Sequence, residues 1–388
     1  MKKWLKALLI TAAAATFTVA LAACGSNGST RPANAFVVAF DYNEFDVADG
    51  AVSRVRYVGV KADDPYLYVD PSAVVDKDDL VVFDQYYVYS WHLPQGYDDA
   101  GEPLRGEDGR VLLKEEAWNL KTDAVTGDMT LYANLVQKPS FTIMDADGTV
   151  YRVFYGMPGD VLMYNTVNAL SPSKAGHTFY KFYEEYAEGT FSSEYSGSYV
   201  YKEGEDKIVY ARFLEGEWSI VTSARAFNTA IGANQNIYLD ADIDFSSTAF
   251  QLGRNYAGTL EGNGHKLTGI SGTIRVTKAS LDNGTYGGYG LFGVLGATAK
   301  IANLTIEDAK LTFAVDSSAY TPTTTEHVGF FAEKAEAGCT LTNVTVSGTL
   351  TKGAIAWESD AVDFSPFLGE SEGAITENCV YTEVEISE

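Results

Sequence analysis

Three stretches near the C-terminus share one layout. They are GLFGVLGATAKIANLTIEDAKL from Gly290, GFFAEKAEAGCTLTNVTVSGTL from Gly329 and PFLGESEGAITENCVYTEVEI from Pro366. Each opens on two apolar residues and a small one: Leu291-Phe292-Gly293, Phe330-Phe331-Ala332 and Phe367-Leu368-Gly369. Each then reaches an asparagine (Asn303, Asn343, Asn378) followed by an alternating apolar and polar run. A period of about 35 to 40 residues marks a solenoid, because one unit cannot bury its apolar row alone and must share it with its neighbours. Asparagine at one place in every period suits a tight turn in the left-handed region. Its amide can also bond to the asparagine of the next coil, as in stacked ladders.

The first copy overlaps the stretch GYGLFG, Gly288 to Gly293, which reads G-x-G-x-x-G. That dinucleotide-binding fingerprint needs a strand before it and a helix after it, so that a helix N-terminus faces the pyrophosphate. Here a turn-rich LDNGTYG precedes it, and the segment beyond, with Ile301, Leu304 and Ile306, has strand rather than helix character. Gly290 and Gly293 recur as Gly329 and Ala332 in a copy without the fingerprint. The expectation is that these glycines punctuate coils and hold no nucleotide.

Upstream lies EWSIVTSARAFNTAIGANQNIYLDADIDFSSTAFQLGRNYAGTLEGNGHKLTGI. Trp218-Ser219-Ile220, the short helical stretch Ala224 to Ile231, Tyr238 to Phe245 and Ala257 to Leu267 resemble the entry segment of GLUG-type and pectate-lyase-like surface β-helices. Tyr256 stands where that pattern has Phe. The resemblance implies a short right-handed parallel β-helix over residues 216–388. Ile237, Leu239, Ala241, Ile243 and Phe245 are expected to face inward, and Asp240, Asp242 and Asp244 outward. These aspartates are the chain's candidates for a Ca²⁺ site, since β-helix polysaccharide lyases bind calcium through acidic side chains. Alternate strand positions lie about 7 Å apart. Oxygen ligands must approach calcium to about 2.3–2.6 Å, so three such positions cannot share one ion. A solvated polar face is the expected outcome, with no metal and no cofactor.

Two earlier segments repeat each other. Ala35 to Asp41 and Pro139 to Asp145 are β-prone runs ending in Asp. Aromatic strands follow at Tyr86 to His92 and His177 to Glu185, and the closing strands carry Leu131-Tyr132-Ala133 and Val209-Tyr210-Ala211. Trp118 and the run Thr122 to Ala133, TDAVTGDMTLYA, resemble the end of the Listeria–Bacteroides repeat of internalin-like surface proteins. The second copy departs from it, with GEDK in place of TGDMT. The resemblance implies two small β-grasp-like modules, 35–138 and 139–215, acting as stalks or adhesive spacers. Asp145-Ala146-Asp147-Gly148 reads as a hairpin turn rather than a calcium loop, because the later ligands of such a loop are missing.

The N-terminus, MKKWLKALLITAAAATFTVALAACGSNGST, pairs a lysine-rich start with an apolar run and small residues, the layout of an export signal. Leu21-Ala22-Ala23-Cys24 resembles the lipobox of bacterial lipoproteins. That implies removal of residues 1–23, a lipid anchor of palmitate-type chains on Cys24 and a flexible tether over 24–34. Gly25 is not the Asp of the inner-membrane retention rule. Cys339 and Cys379 lie in no metal-binding spacing and read as buried strand thiols, though export would permit a disulfide. A formal net charge of −24 makes nucleic acid an unsuitable partner.

The chain as a whole reads as mainly β: two β-grasp-like modules, then the β-helix. The function expected is that of a cell-surface, lipid-anchored protein binding a host protein or glycan without catalysis; a β-helix polysaccharide lyase or hydrolase is the alternative. The expected ligand contacts are Tyr256, Tyr286 and Tyr289, because tyrosine is favoured at interfaces and stacks on sugars. The last strand, VYTEVEISE, is expected to be an acidic edge.

Overall fold

The computed structural model describes residues 35–43, 55–61, 85–279, 288–319, 321–357 and 361–387. Cys24 and Tyr286, two positions singled out above, lie outside the described residues, as do the export signal and tether. The chain divides into two compact units, Met1–Leu170 with Phe182–Ala211, and Ser171–Lys181 with Arg212–Glu388.

In the first stretch of chain, β1 (Ala35–Asp41), β2 (Val55–Lys61), β3 (Tyr86–Pro94), β4 (Leu113–Ala117) and β5 (Met129–Gln137) form a sheet in the order β2-β1-β5-β3-β4. β1 and β5 run parallel, with Phe40 opposite Leu131, and both side chains are fully buried beside Trp91. The next stretch supplies β6 (Ser140–Asp145), β7 (Val150–Tyr155), β8 (Val161–Leu162), the short helix α1 (Tyr164–Asn168), β9 (His177–Ala187), β10 (Thr190–Glu194), β11 (Tyr199–Val200) and β12 (Lys207–Glu215). Their main sheet has the order β7-β6-β12-β9-β10. Position for position this is the first order again: β6 takes the place of β1, β12 that of β5 and β9 that of β3. The parallel pair recurs too, with Val209 opposite Ile143 and both buried. The repeat seen in the sequence is therefore a repeat of topology. Between β6 and β7 the chain turns at Gly148, φ 88°, and Asp145 Oδ1 accepts from the N–H of Thr149 at 3.0 Å. That is the expected hairpin.

The remainder is a β-solenoid of about three turns. It begins with β13 (Ser219–Val221), α2 (Ala224–Gly232), β14 (Ile237–Leu239) and β15 (Ile243–Asp244). The next coil holds β16 (Arg254–Tyr256), β17 (Thr259–Glu261), β18 (Lys266–Thr268) and β19 (Ser271–Val276). β20 (Phe292–Leu295) and β21 (Lys300–Val315) follow, then β22 (Glu326–Gly329), β23 (Ala332–Ala335) and β24 (Thr340–Ile355). The last coil holds β25 (Val362–Ser365), β26 (Leu368–Ser371), β27 (Ile375–Glu377) and β28 (Val380–Ser387). α2 is capped by Ser223, whose side chain accepts from the N–H of Ala226, and it buries Ala224, Phe227, Ala230 and Ile231 against the first coil.

Coils pair in parallel, so like positions stack. Ile237, Leu260, Ile301 and Leu341 form one inward row. Ile243, Leu267, Ile306 and Val346 form another, and every member of both rows is at most 1% exposed. Burying each such side chain stabilises by about 1.5–3 kcal/mol, which no coil could obtain alone. Leu239 and Phe245 are buried as expected, but Ala241 is only half-buried. A second core stack is aromatic: Phe331 lies 5.1 Å from Phe292 and 5.2 Å from Phe367, and the exposed Tyr381 stacks on Phe367 at 4.7 Å. Here the register is one residue off the sequence alignment, with Phe292 opposite Ala332 and Ala332 opposite Leu368. The Phe331 ring lies between those of Phe292 and Phe367.

The asparagine ladder is present. Asn263, Asn303, Asn343 and Asn378 all have φ of 52–53°. Asn343 Nδ2 donates to Asn303 Oδ1 at 2.9 Å, and Asn378 Nδ2 donates to Asn343 Oδ1 at 3.1 Å. Asn303 Nδ2 donates to Glu261 Oε1, 2.9 Å away, which starts the series. Asn343→Ala should lower solenoid stability by about 1–3 kcal/mol, combining the left-handed penalty with the lost bonds. Asn343→Gly keeps the turn and should cost less. Equal losses in urea titrations of the two variants would show that the backbone conformation contributes nothing.

Cys339 is buried and Cys379 half-buried, and both thiols are free. Burial raises the Cys339 pKa to about 11, so this thiol stays protonated and unreactive at neutral pH. β28 presents Glu383 and Glu385 as exposed side chains and pairs with β24.

Candidate functional site

The G-x-G-x-x-G stretch is built into the coil stack. A strand, β20, begins within it at Phe292, where a nucleotide site needs a helix. Several of its N–H groups already have partners: Gly288 N donates to Gly253 O at 2.7 Å, Leu291 N to Phe330 O at 3.0 Å and Phe292 N to Phe331 O at 2.8 Å. Tyr289 N donates to the Glu333 carboxylate at 3.0 Å, so an acidic group occupies the place a phosphate would need. Burial raises the pKa of Glu333. The glycines are required by close approach instead. A Cβ on Gly288 would lie 2.1 Å from Gly293 Cα, and one on Gly290 would lie 2.5 Å from Gly329 O.

The three aspartates do face away from the core rows, but they do not converge. Asp240 pairs with Lys181 Nζ at 2.9 Å and accepts from the Tyr180 hydroxyl, and its side chain is only 13% exposed. It is thus a shielded ion pair rather than part of a solvated face. Asp242 Oδ1 accepts from Lys266 N at 3.1 Å and pairs with His265 Nδ1 at 3.2 Å. Those two contacts, the backbone bond first, lower its pKa, as bonds from Ser246 lower that of Asp244. Each carboxylate is committed to its own neighbours. The side chain of Lys266, whose N–H meets Asp242, pairs with Glu307 at 2.9 Å. Among the described residues no group of three or more His, Cys, Asp or Glu is placed to hold a metal ion.

The tyrosine expectation is corrected where it can be read. Tyr256 and Tyr289 are each 1% exposed and cannot contact a surface ligand. Tyr256 projects into the core, stands 6.4 Å from Phe292 and donates its hydroxyl to Gln235 O at 2.9 Å. Tyr289 meets Phe313 edge to face at 5.4 Å. Both rings fill volume that a coil of glycines and small residues would leave empty. Tyr286 lies outside the described residues.

Sequence reasoning missed a groove at the start of the solenoid. The turn after α2 carries three successive amides, Asn234-Gln235-Asn236, and β13 is preceded by Glu217-Trp218. Together with Ser219 they line a cleft of about 390 Å³. An adjoining cleft of about 460 Å³, the second lobe of the site, also has Ser219 and Gln235 in its lining and extends along α2 past Arg225 and Thr229. The fold holds the amides by their oxygens. Asn234 Oδ1 accepts from Ala257 N at 2.8 Å, Asn236 Oδ1 from Thr259 N at 2.9 Å and Gln235 Oε1 from Ser219 Oγ at 2.7 Å. Trp218 is fixed by its indole N–H on Glu215 O, 2.7 Å away, and by an edge-to-face contact with Tyr238. Three consecutive amides in a turn were the available signal in the sequence.

Compared with described protein families, curated proteins and solved structures, the chain matches none.

Proposed function

We propose that the chain is an extracytoplasmic bacterial lipoprotein, anchored through Cys24, that binds a glycan or host ligand at the cell surface without catalysis. The lysine-rich start, the apolar run and Leu21-Ala22-Ala23-Cys24 support the anchor. The equal strand order of the two N-terminal sheets supports reading them as two Listeria–Bacteroides-type, β-grasp-like spacers. The ladder and entry motifs support a GLUG-type right-handed β-helix as the terminal domain.

One observation carries the binding role. The polar motif residues that could have served chemistry are spent on structural contacts, Asp242 and the ladder asparagines between coils, Asp244 on its own turn and Asp240 on Tyr180 and Lys181, while the groove keeps side-chain donors that the fold does not use. A polar groove of several hundred Å³ with Trp218 among its lining residues fits ligand recognition. Cys24→Ala should move the protein from the membrane fraction to the soluble fraction and abolish incorporation of labelled palmitate. Unchanged membrane retention and lipid labelling in that variant would refute the anchor.

A further inference from the structure

We infer that the groove between β13 and the turn after α2 binds a neutral, hydroxyl-rich oligosaccharide, with Trp218 as its platform. This site rests on the binding role proposed above and gives it a ligand class and a location.

A pyranose ring has two kinds of surface. Its C–H face is weakly apolar, and its rim carries hydroxyls that each donate and accept. A site for it needs a flat aromatic face beside fixed donors and acceptors. Trp218 is half-buried and lines the first lobe. Its N–H is already bonded to Glu215 O, so the indole contributes its ring and not a donor. The amides Asn234 and Gln235 are exposed. Their oxygens are held by Ala257 N and Ser219 Oγ, which leaves the NH₂ groups unspent and fixed in direction. Those NH₂ groups donate to hydroxyl oxygens, and the exposed Glu217 carboxylate accepts hydroxyl protons. Such preorganisation lowers the ordering cost of binding.

Two features narrow the ligand further. The two clefts share Ser219 and Gln235 as lining residues, so they adjoin, and adjoining clefts suit a chain of sugar units rather than one ring. Arg225, exposed at the far lobe, adds donors for a further unit. Glu217 beside the indole, on a protein of net charge −24, disfavours an acidic sugar there.

The test is isothermal titration of the full chain with cellohexaose, maltohexaose, mannohexaose, chitohexaose and a galacturonate hexamer. Wild type should bind at least one neutral hexamer. Trp218→Ala should weaken that binding by about tenfold or more, the loss expected for a central aromatic contact, and Trp218→Phe should restore most of it. Gln235→Ala, a change at an exposed side chain, should weaken it several-fold; it decides the matter if Trp218→Ala fails to fold. Unchanged binding in folded Trp218→Ala and Gln235→Ala would overturn the groove while leaving a glycan-binding surface protein. Binding to galacturonate alone would overturn the neutral ligand. Binding to none of the hexamers would overturn the inference, and a glycan role with it, while leaving the lipid anchor to its own test.

Discussion

Phe331→Ala is expected to destabilise the solenoid by about 3–5 kcal/mol, the range for truncating a buried aromatic. Phe331 is fully buried and stands between Phe292 and Phe367 at 5.1 and 5.2 Å. Alanine would open a cavity and remove two ring contacts together, each aromatic pair being worth about 0.5–1.5 kcal/mol beyond its buried area. Coils contact only their neighbours, so the defect should concentrate near β23. Urea unfolding followed by circular dichroism measures the loss. Amide exchange should rise most in β20, β23 and β26, which pair in that order. A loss below about 1 kcal/mol would mean that the aromatic stack is not a core element.

Gly329→Ala is expected to be comparably damaging for the opposite reason. Its Cβ would lie 1.9 Å from Ala332 O and 2.4 Å from Gly369 N. Both are backbone atoms, so no side-chain rotation relieves the clash. The coil spacing itself must give, at a cost of about 3 kcal/mol or more, above the usual range for overpacking. An unfolding midpoint like that of wild type would refute the close-approach account of these glycines. Gly329 lies in a copy without the nucleotide fingerprint, so its sensitivity would also separate the coil role from any phosphate role.

The repeats were the most legible part of the sequence. An Asn that must adopt a left-handed turn at each coil cannot be moved or freely replaced, so Asn303, Asn343 and Asn378 stand out by period alone. Asn263, the first left-handed asparagine of the series, sits in a GNG turn outside the aligned copies and was legible only through resemblance. The strand order of the N-terminal sheets was foreshadowed by the recurring Tyr-Ala pairs. Those pairs mark the central strands β5 and β12, which are bracketed by the same partners in both copies.

The site was less legible, because it depends on contacts across coils. Tyrosine type does not distinguish a sugar platform from a core filler. Tyr256 packs in the core beside Phe292, and Gln235 O, 21 residues away in sequence, satisfies its hydroxyl there. Asp240 looks like its strand neighbours but is shielded by Tyr180 and Lys181, from a distant segment. The groove joins Ser219 to Gln235 across α2, and no periodic pattern reports such a meeting.

The central claim is that this protein binds and does not cleave, and one measurement tests it most directly. The full chain is incubated with a panel of neutral and acidic polysaccharides in the presence of Ca²⁺. Retention on each polysaccharide and the release of reducing or unsaturated ends are followed together. The account predicts retention on a neutral polysaccharide with no new ends; new ends that accumulate with wild type and vanish in Asp242→Ala would contradict it.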